Sequence, residues 1–269
     1  MKIWKENYQI IPEADKRQWE ELKKKEIVQY LGSTPVTKSL YRKYPKSVRH
    51  HLSLFPNNFL DAVDLSKSKE ELKRILTDFE QLLNDRNTTE RNILNFIKEN
   101  QAYFIIGSIL KDNYSFGHHS LFIFPEFLLP PNYGVDYLLV GQNSNGYHFV
   151  FVELENPYQN ITLQDGSFGS AIRKGVNQIN DWKIWFEANF SHLRLVFEGY
   201  KNDTEILPKE FNVFDNTRIH FVVVAGRRTD YDDKTYRLRR EYQQDSKISV
   251  IHYDNLFNYA NETIGTQTY

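Results

Sequence analysis

The stretch that most limits how this chain can fold runs from Val135 to Glu155. Val135-Asp136-Tyr137-Leu138-Leu139-Val140 and Tyr147-His148-Phe149-Val150-Phe151-Val152 read as two strands, and Asn143-Ser144-Asn145-Gly146 between them carries an Asn-Gly pair, a strong hairpin signal. The two strands are therefore expected to be antiparallel neighbours. Both alternating faces of the second are apolar, with Tyr147, Phe149 and Phe151 on one side and Val150 and Val152 on the other. A strand without a polar face belongs in the middle of a sheet that is covered on both sides. It ends on Glu153-Leu154-Glu155, and because side chains alternate, the two glutamates project to one face and Leu154 to the other. The hairpin can bring Asp136 alongside Glu153, so three carboxylates converge at one sheet end. Charges at the end of a covered strand are costly unless they are paired or bind a cation. A hard divalent ion such as Mg2+, which takes oxygen ligands and works beside phosphates, resolves the clustering. The alternative is that Glu153 and Glu155 emerge from the sheet into solvent.

The remaining pattern is mixed α/β. Glu13 to Leu31 reads as one partly buried helix ended by Gly32-Ser33-Thr34-Pro35, and Ser68-Lys69-Glu70-Glu71 reads as a capping box opening a helix through Leu83. The polar turn Asn84 to Thr89 suggests a boundary between a smaller, mainly helical region (1–85) and a larger domain (86–269). Glu90 opens a further helix, whereas the apolar runs Tyr103 to Leu110 and Leu121 to Leu129 are expected to be strands or their approaches. A helix spans Ser167 to Phe190, a buried strand Ile219 to Ala225, a basic helix Tyr236 to Gln244 and a last strand Ile248 to His252. On the long helix Lys174, Gln178, Asp181 and Trp185 form one stripe that can face the strand ends or solvent. Adjacent His118 and His119 point apart on extended chain and suit a loop better than a metal.

The chain has 269 residues, 40% of them apolar, which suffices for a substantial core. Lysines and arginines (34) nearly balance aspartates and glutamates (35), which excludes a uniformly basic coat but permits basic faces. The absence of cysteine removes disulfides, thiolate metal sites and cysteine nucleophiles. No apolar run is long enough to cross a bilayer and the first residues lack a signal-peptide apolar region, so a soluble cytoplasmic protein is expected. There is no phosphate-binding P-loop, dinucleotide glycine pattern or Gly-x-Ser-x-Gly elbow.

Asp136, then Glu153-Leu154-Glu155, then a helix carrying Gln178-Ile179-Asn180-Asp181-Trp182 resemble the PD-(D/E)xK nuclease superfamily, and more closely the nuclease domain of Shedu anti-phage defence proteins. Thr89-Glu90-Arg91-Asn92-Ile93, Gly226-Arg227-Arg228 and Ile251-His252-Tyr253-Asp254-Asn255-Leu256 support it over about residues 88–260. The resemblance implies a restriction-endonuclease-like mixed sheet flanked by helices, and a Mg2+-dependent endonuclease for which Mn2+ can substitute. It implies double-stranded, phage-derived DNA as substrate and assembly into homo-oligomers, dimers or tetramers. Asp136, Glu153 and the Leu154 carbonyl would be metal ligands. Glu155 stands where the superfamily usually has lysine; it can activate water or bind metal but cannot supply positive charge. Lys174 would replace that cation, Gln178 would orient water or a phosphate oxygen, and Glu90 resembles the acid of the family's first core helix, although a helix N-terminal acid favoured by the dipole explains it equally well. A catalytically silent DNA-binding sensor of the same fold is the alternative.

DNA held against an acidic centre requires basic surroundings. Between Ser33 and Phe55 stand Lys38, Arg42, Lys43, Lys46 and Arg49 with no acid, interleaved with tyrosines and histidines. A second candidate combines Arg227 and Arg228 with Arg237, Arg239 and Arg240. A solvated face or a subunit contact explains either patch as well.

Overall fold

The computed structural model describes residues 2–31, 34–131 and 133–269. Helix α1 (Glu13–Lys25) gives way to an antiparallel pair, β1 (Ile27–Leu31) and β2 (Thr34–Thr37), so the expected helix to Leu31 stops six residues early. The β-branched Ile27, Val28, Val36 and Thr37 favour the extended state. Gly32 and Ser33, read as the end of that helix, lie outside the described residues. Helices α2 (Lys46–His51), α3 (Ala62–Lys67), α4 (Lys69–Asn84), α5 (Glu90–Glu99), α6 (Tyr103–Gly107) and α7 (Ile109–Asn113) follow. Ser68 makes no capping bond to α4, because it also closes α3, and its backbone (φ −108°, ψ 29°) is not in the extended form from which a cap reaches forward. The capping box belongs to α5, where Thr89 and Asn92 bond each other's backbone N–H. The run Tyr103 to Leu110 is helical rather than extended. Tyr103 to Leu110 are buried without exception, and a helix buried all round loses the periodicity that would distinguish it from a covered strand.

Strands β3 (Ser120–Leu129), β4 (Tyr133–Asn143) and β5 (Gly146–Leu154) form an antiparallel meander. After β5 come α8 (Ser170–Asn189), α9 (Leu193–Glu198), β6 (Ile219–Val224), α10 (Asp233–Ser246), β7 (Ile248–Ile251) and α11 (Tyr253–Thr263). β6 pairs parallel to β5, and β7 parallel to β6, giving a five-stranded mixed sheet in the order β3-β4-β5-β6-β7. The Asn143–Gly146 hairpin and the central position of β5 are as expected.

Two apolar layers cover the sheet. Phe149, Phe151, Phe221 and Val223 meet Ile172, Ile179, Trp182 and Phe186 of α8 on one face, while Val150, Val152, Leu154 and Val222 meet α4, α5, α6 and α11 on the other. Side chains from 1–85 enter both layers, Phe55 and Phe59 in the first and Ile75, Leu76 and Phe79 in the second. The turn at 85–88 therefore separates two helices that fill one core. Residues 58–60 also shield the β3 edge, with Leu60 donating its backbone N–H to Leu121 (2.8 Å) and the Asn58 amide to the Ile123 carbonyl (2.8 Å). No described helix is long and apolar enough to cross a membrane. Phe151 lies at the centre of the α8 layer with no solvent exposure. Phe151→Ala is expected to destabilise the fold by about 3–5 kcal/mol, measured as the shift in a guanidinium unfolding curve.

Candidate active site

The end of β5 is where the fold leaves its apolar cover. Glu153 continues the face of Phe149 and Phe151, the face on which α8 packs. The β4–β5 register, Tyr137 opposite Val152, brings Asp136 to the same place, and its Oδ2 accepts the Leu154 N–H at 2.8 Å. Glu155 follows with its N–H bonded to the Val224 carbonyl, and its own carbonyl accepts the hydroxyl of fully buried Tyr253 at 2.7 Å. The three acids that the sequence places at one sheet end are together.

Helix α8 passes close above them because residue 175 is glycine. A Cβ there would lie 2.8 Å from a Val223 methyl and 3.4 Å from Cγ of Glu155. That approach delivers Lys174, whose ammonium bonds Glu155 at 2.9 Å and Glu90, at the start of α5, at 3.4 Å. One turn on, the Gln178 amide lies against the Glu153 carboxyl. The upper part of the expected stripe thus faces the strand ends, while Asp181 is exposed and Trp185 is buried, donating its ring N–H to the Pro130 carbonyl at 3.1 Å. Glu90 plays two parts, since it begins a helix and also reaches the centre.

Glu153 is 4% exposed and Glu155 1%. Burial, then the charges of Asp136 and Glu155, push the Glu153 carboxyl up to about 9. Burial raises Asp136 to about 6 against the opposing Leu154 N–H, with Glu90 adding to the rise. Glu155 is raised by burial to about 7, held down from higher values by Lys174. Burial alone would lower Lys174, but Glu155 and Glu90 raise it on balance. One oxygen each of Glu153, Glu155 and Gln178 is buried without a hydrogen-bond partner among the described residues. Unpartnered buried carboxylate oxygens that resist ionisation fit a hard divalent cation. Among the described residues no three acid or histidine side chains gather tightly enough to hold an ion unaided. Asp136, Glu153 and the Leu154 carbonyl would therefore need water or a substrate oxygen to complete a shell, as Mg2+ ordinarily does.

The basic residues divide sharply. Arg49 is 3% exposed and bonds Asp61 at 2.5 Å, so this member of the first patch is part of a core ion pair and not a DNA contact. Lys46 pairs with Asp64. Lys38, Arg42 and Lys43 line a surface hollow. In the second patch Arg227 bonds Asp254, the Tyr158 hydroxyl and the Leu83 carbonyl, which ties the end of α4 to the sheet and occupies the guanidinium. Arg228, Arg237 and Arg240 are exposed and Arg239 half-buried, the last two beside a groove with Tyr236, Gln243 and Gln244. His118 and His119 lie in the loop before β3, as expected. Sequence reasoning missed Tyr253, Gly175 and Glu126; the last adds to the rise at Asp136. Only the pairing of distant segments reveals them.

A mixed α/β domain with a buried carboxylate centre at the end of its middle strand is thus the class that the fold and site define. Residues 87–257 match the family model described as Shedu protein SduA, C-terminal, and the chain belongs to that family. A search of curated proteins finds no match.

Raised carboxyl pKa values make a pH signature. An acid whose folded pKa exceeds its unfolded value stabilises the fold fully below the unfolded pKa, near 4.5, and loses that contribution as pH rises through the folded value. Without divalent ions, thermal stability is expected to fall between about pH 5 and pH 9, and Mg2+ or Mn2+ to restore it at the alkaline end. Glu153→Gln, which keeps the shape of the protonated acid, is expected to flatten the profile and remove most of the ion effect. Melting temperatures in EDTA and in Mg2+ across that range provide the check.

Proposed function

We propose that this chain is a Mg2+-dependent DNA endonuclease of restriction-endonuclease-like fold, acting in anti-phage defence. Family membership supports the defence role. The observation that carries the chemistry is the meeting of Asp136, Glu153, Glu155, Gln178, Lys174 and Glu90 at one sheet end, with buried carboxylate oxygens left unpartnered. Asp136, Glu153 and the Leu154 carbonyl would hold Mg2+ or Mn2+, which supplies charge stabilisation to a phosphate and acidifies a bound water.

The chain's own residues cover the remaining needs. Glu155, with its carboxyl near neutrality, is suited to take the proton of an attacking water. Gln178 fixes the orientation of that water or of a phosphate oxygen through its free amide oxygen and its contact with Glu153. Lys174 stands in for the absent motif lysine, offsetting negative charge on the phosphate from the helix rather than from the strand. Glu90 holds the Lys174 ammonium at the centre.

Double-stranded phage DNA is the proposed substrate, with its backbone neutralised by Lys38, Arg42 and Lys43 on one side and by Arg228, Arg237, Arg239 and Arg240 on the other. The proposed working form is a homo-oligomer, a dimer or tetramer; exposed Ile184, Leu195 and Ile206 are apolar surface available for it.

Incubation of supercoiled DNA with Mg2+ is expected to give nicked and linear products that disappear with EDTA and with Glu153→Ala. Lys174→Ala is expected to lower kcat about 10²-fold or more with a smaller effect on DNA affinity. DNA binding without metal-dependent cleavage would instead favour a silent sensor. Replacing Arg239 or Arg240 by Ala is expected to weaken binding for all sequences alike and to reduce the salt slope by about 1 for each arginine replaced, read by anisotropy titrations at several salt concentrations.

A further inference from the structure

A second cavity adjoins the acid centre. It measures about 360 Å3 and is walled by the segment 2–5, one face of α5 and the β3–β4 edge of the sheet. Asp136 forms part of its lining, so the cavity and the acid centre share a residue. On α5, Arg91, Leu94, Asn95 and Lys98 line it at i, i+3, i+4 and i+7, while Glu90 on the same helix turns to Lys174. One helix thus serves both places.

Lys2, Lys5, Arg91 and Lys98 bring four cations to this cleft against three acids, Glu99, Glu126 and Asp136, and none of the four forms an ion pair among the described residues. Trp4 and Tyr103 stand edge to face, centroids 5.6 Å apart, and supply aromatic wall. The Trp4 ring N–H has no partner among the described residues. Two non-glycine residues of the lining, Gln101 (φ 51°) and Glu126 (φ 49°), hold left-handed backbone. Such conformations persist where the surroundings enforce them, and they concentrate at ligand sites. Strain, aromatic wall and unpaired cations therefore coincide at one cleft beside a carboxyl of the centre.

We propose that this cleft receives one unpaired nucleotide of the DNA strand next to the phosphate at the acid centre. The assignment deepens the nuclease reading and rests on it for the position of that phosphate. The volume lies near the lower end for ligand clefts, about 300–1,000 Å3, which admits a nucleotide and excludes a duplex. Trp4, which carries the Lys46 ammonium 5.0 Å from its ring centroid, and Tyr103 give aromatic wall beside a base, and the four cations of the lining outnumber its acids in favour of the flanking phosphates. A base already unpaired enters at less cost than one that must be unstacked from a duplex. The enzyme accordingly prefers DNA with a bulge, mismatch or gap at the cleavage position.

The test uses two labelled duplexes alike except for one central bulged nucleotide. Anisotropy titrations in EDTA are expected to show about tenfold tighter binding of the bulged duplex, because only an inserted nucleotide brings its flanking phosphates to Arg91 and Lys98. The double variant R91A/K98A, on the exposed side of α5, is expected to melt like the parent and to bring the two affinities close to parity. Cleavage in Mg2+ is expected to fall next to the bulge. Equal affinities in the parent, or the preference intact in the double variant, would overturn the cleft assignment even if both duplexes are cut. A preference removed by R91A/K98A with no cleavage of either duplex would uphold the cleft and overturn the nuclease reading.

Discussion

Everything at this end of the sheet depends on Glu153 and Glu155 being taken out of water beside the half-buried Asp136. Their mutual repulsion and desolvation are only partly offset by the Leu154 N–H, the Gln178 amide and the Lys174 ammonium. The fold tolerates this because β5, which carries Glu153 and leads into Glu155, is clamped from both sides. Phe149 and Phe151 are pressed under α8, Val150, Val152 and Leu154 under the helices of the other face, and Tyr253 ties off the Glu155 carbonyl. Apolar burial of that extent, at roughly 25 cal/mol per Å2, is what holds polar groups in positions they would not choose alone.

The same clamp sets geometry. Gly175 lets α8 approach the sheet closely enough for Lys174 to span Glu155 and Glu90, so the glutamate just past β5, a helix lysine and the first residue of α5 meet although they are 65 and 19 residues apart in sequence. The positive charge beside the acids comes from the helix, through an ion pair that joins two elements.

Much of this was legible in the sequence because it is local. The hairpin at Asn143–Gly146, the two-faced apolarity of β5, the shared face of Glu153 and Glu155 and the 174–178 spacing on α8 each follow from strand or helix periodicity. Other features were not legible, for a common physical reason: each depends on a partner distant in sequence. Tyr103 to Leu110 looked extended because a helix buried all round has no polar face to mark its period. Arg49 and Arg227 looked like DNA contacts until Asp61 and Asp254 proved to occupy them. The cleft by Asp136 draws its walls from residues 2–5, α5 and β3, three segments that no local pattern connects. The polar turn near residue 85 joins α4 and α5, whose buried side chains share one apolar layer.

A carboxyl cluster that serves as a cation site must hold its ion between Asp136 and Glu153, and the most direct measurement of that is anomalous diffraction from crystals soaked in Mn2+. One or two Mn2+ peaks are expected within coordination distance of the Asp136 and Glu153 carboxylates and the Leu154 carbonyl, absent in Glu153→Gln. Crystals that show no manganese there, or manganese bound only elsewhere, would contradict the cation site.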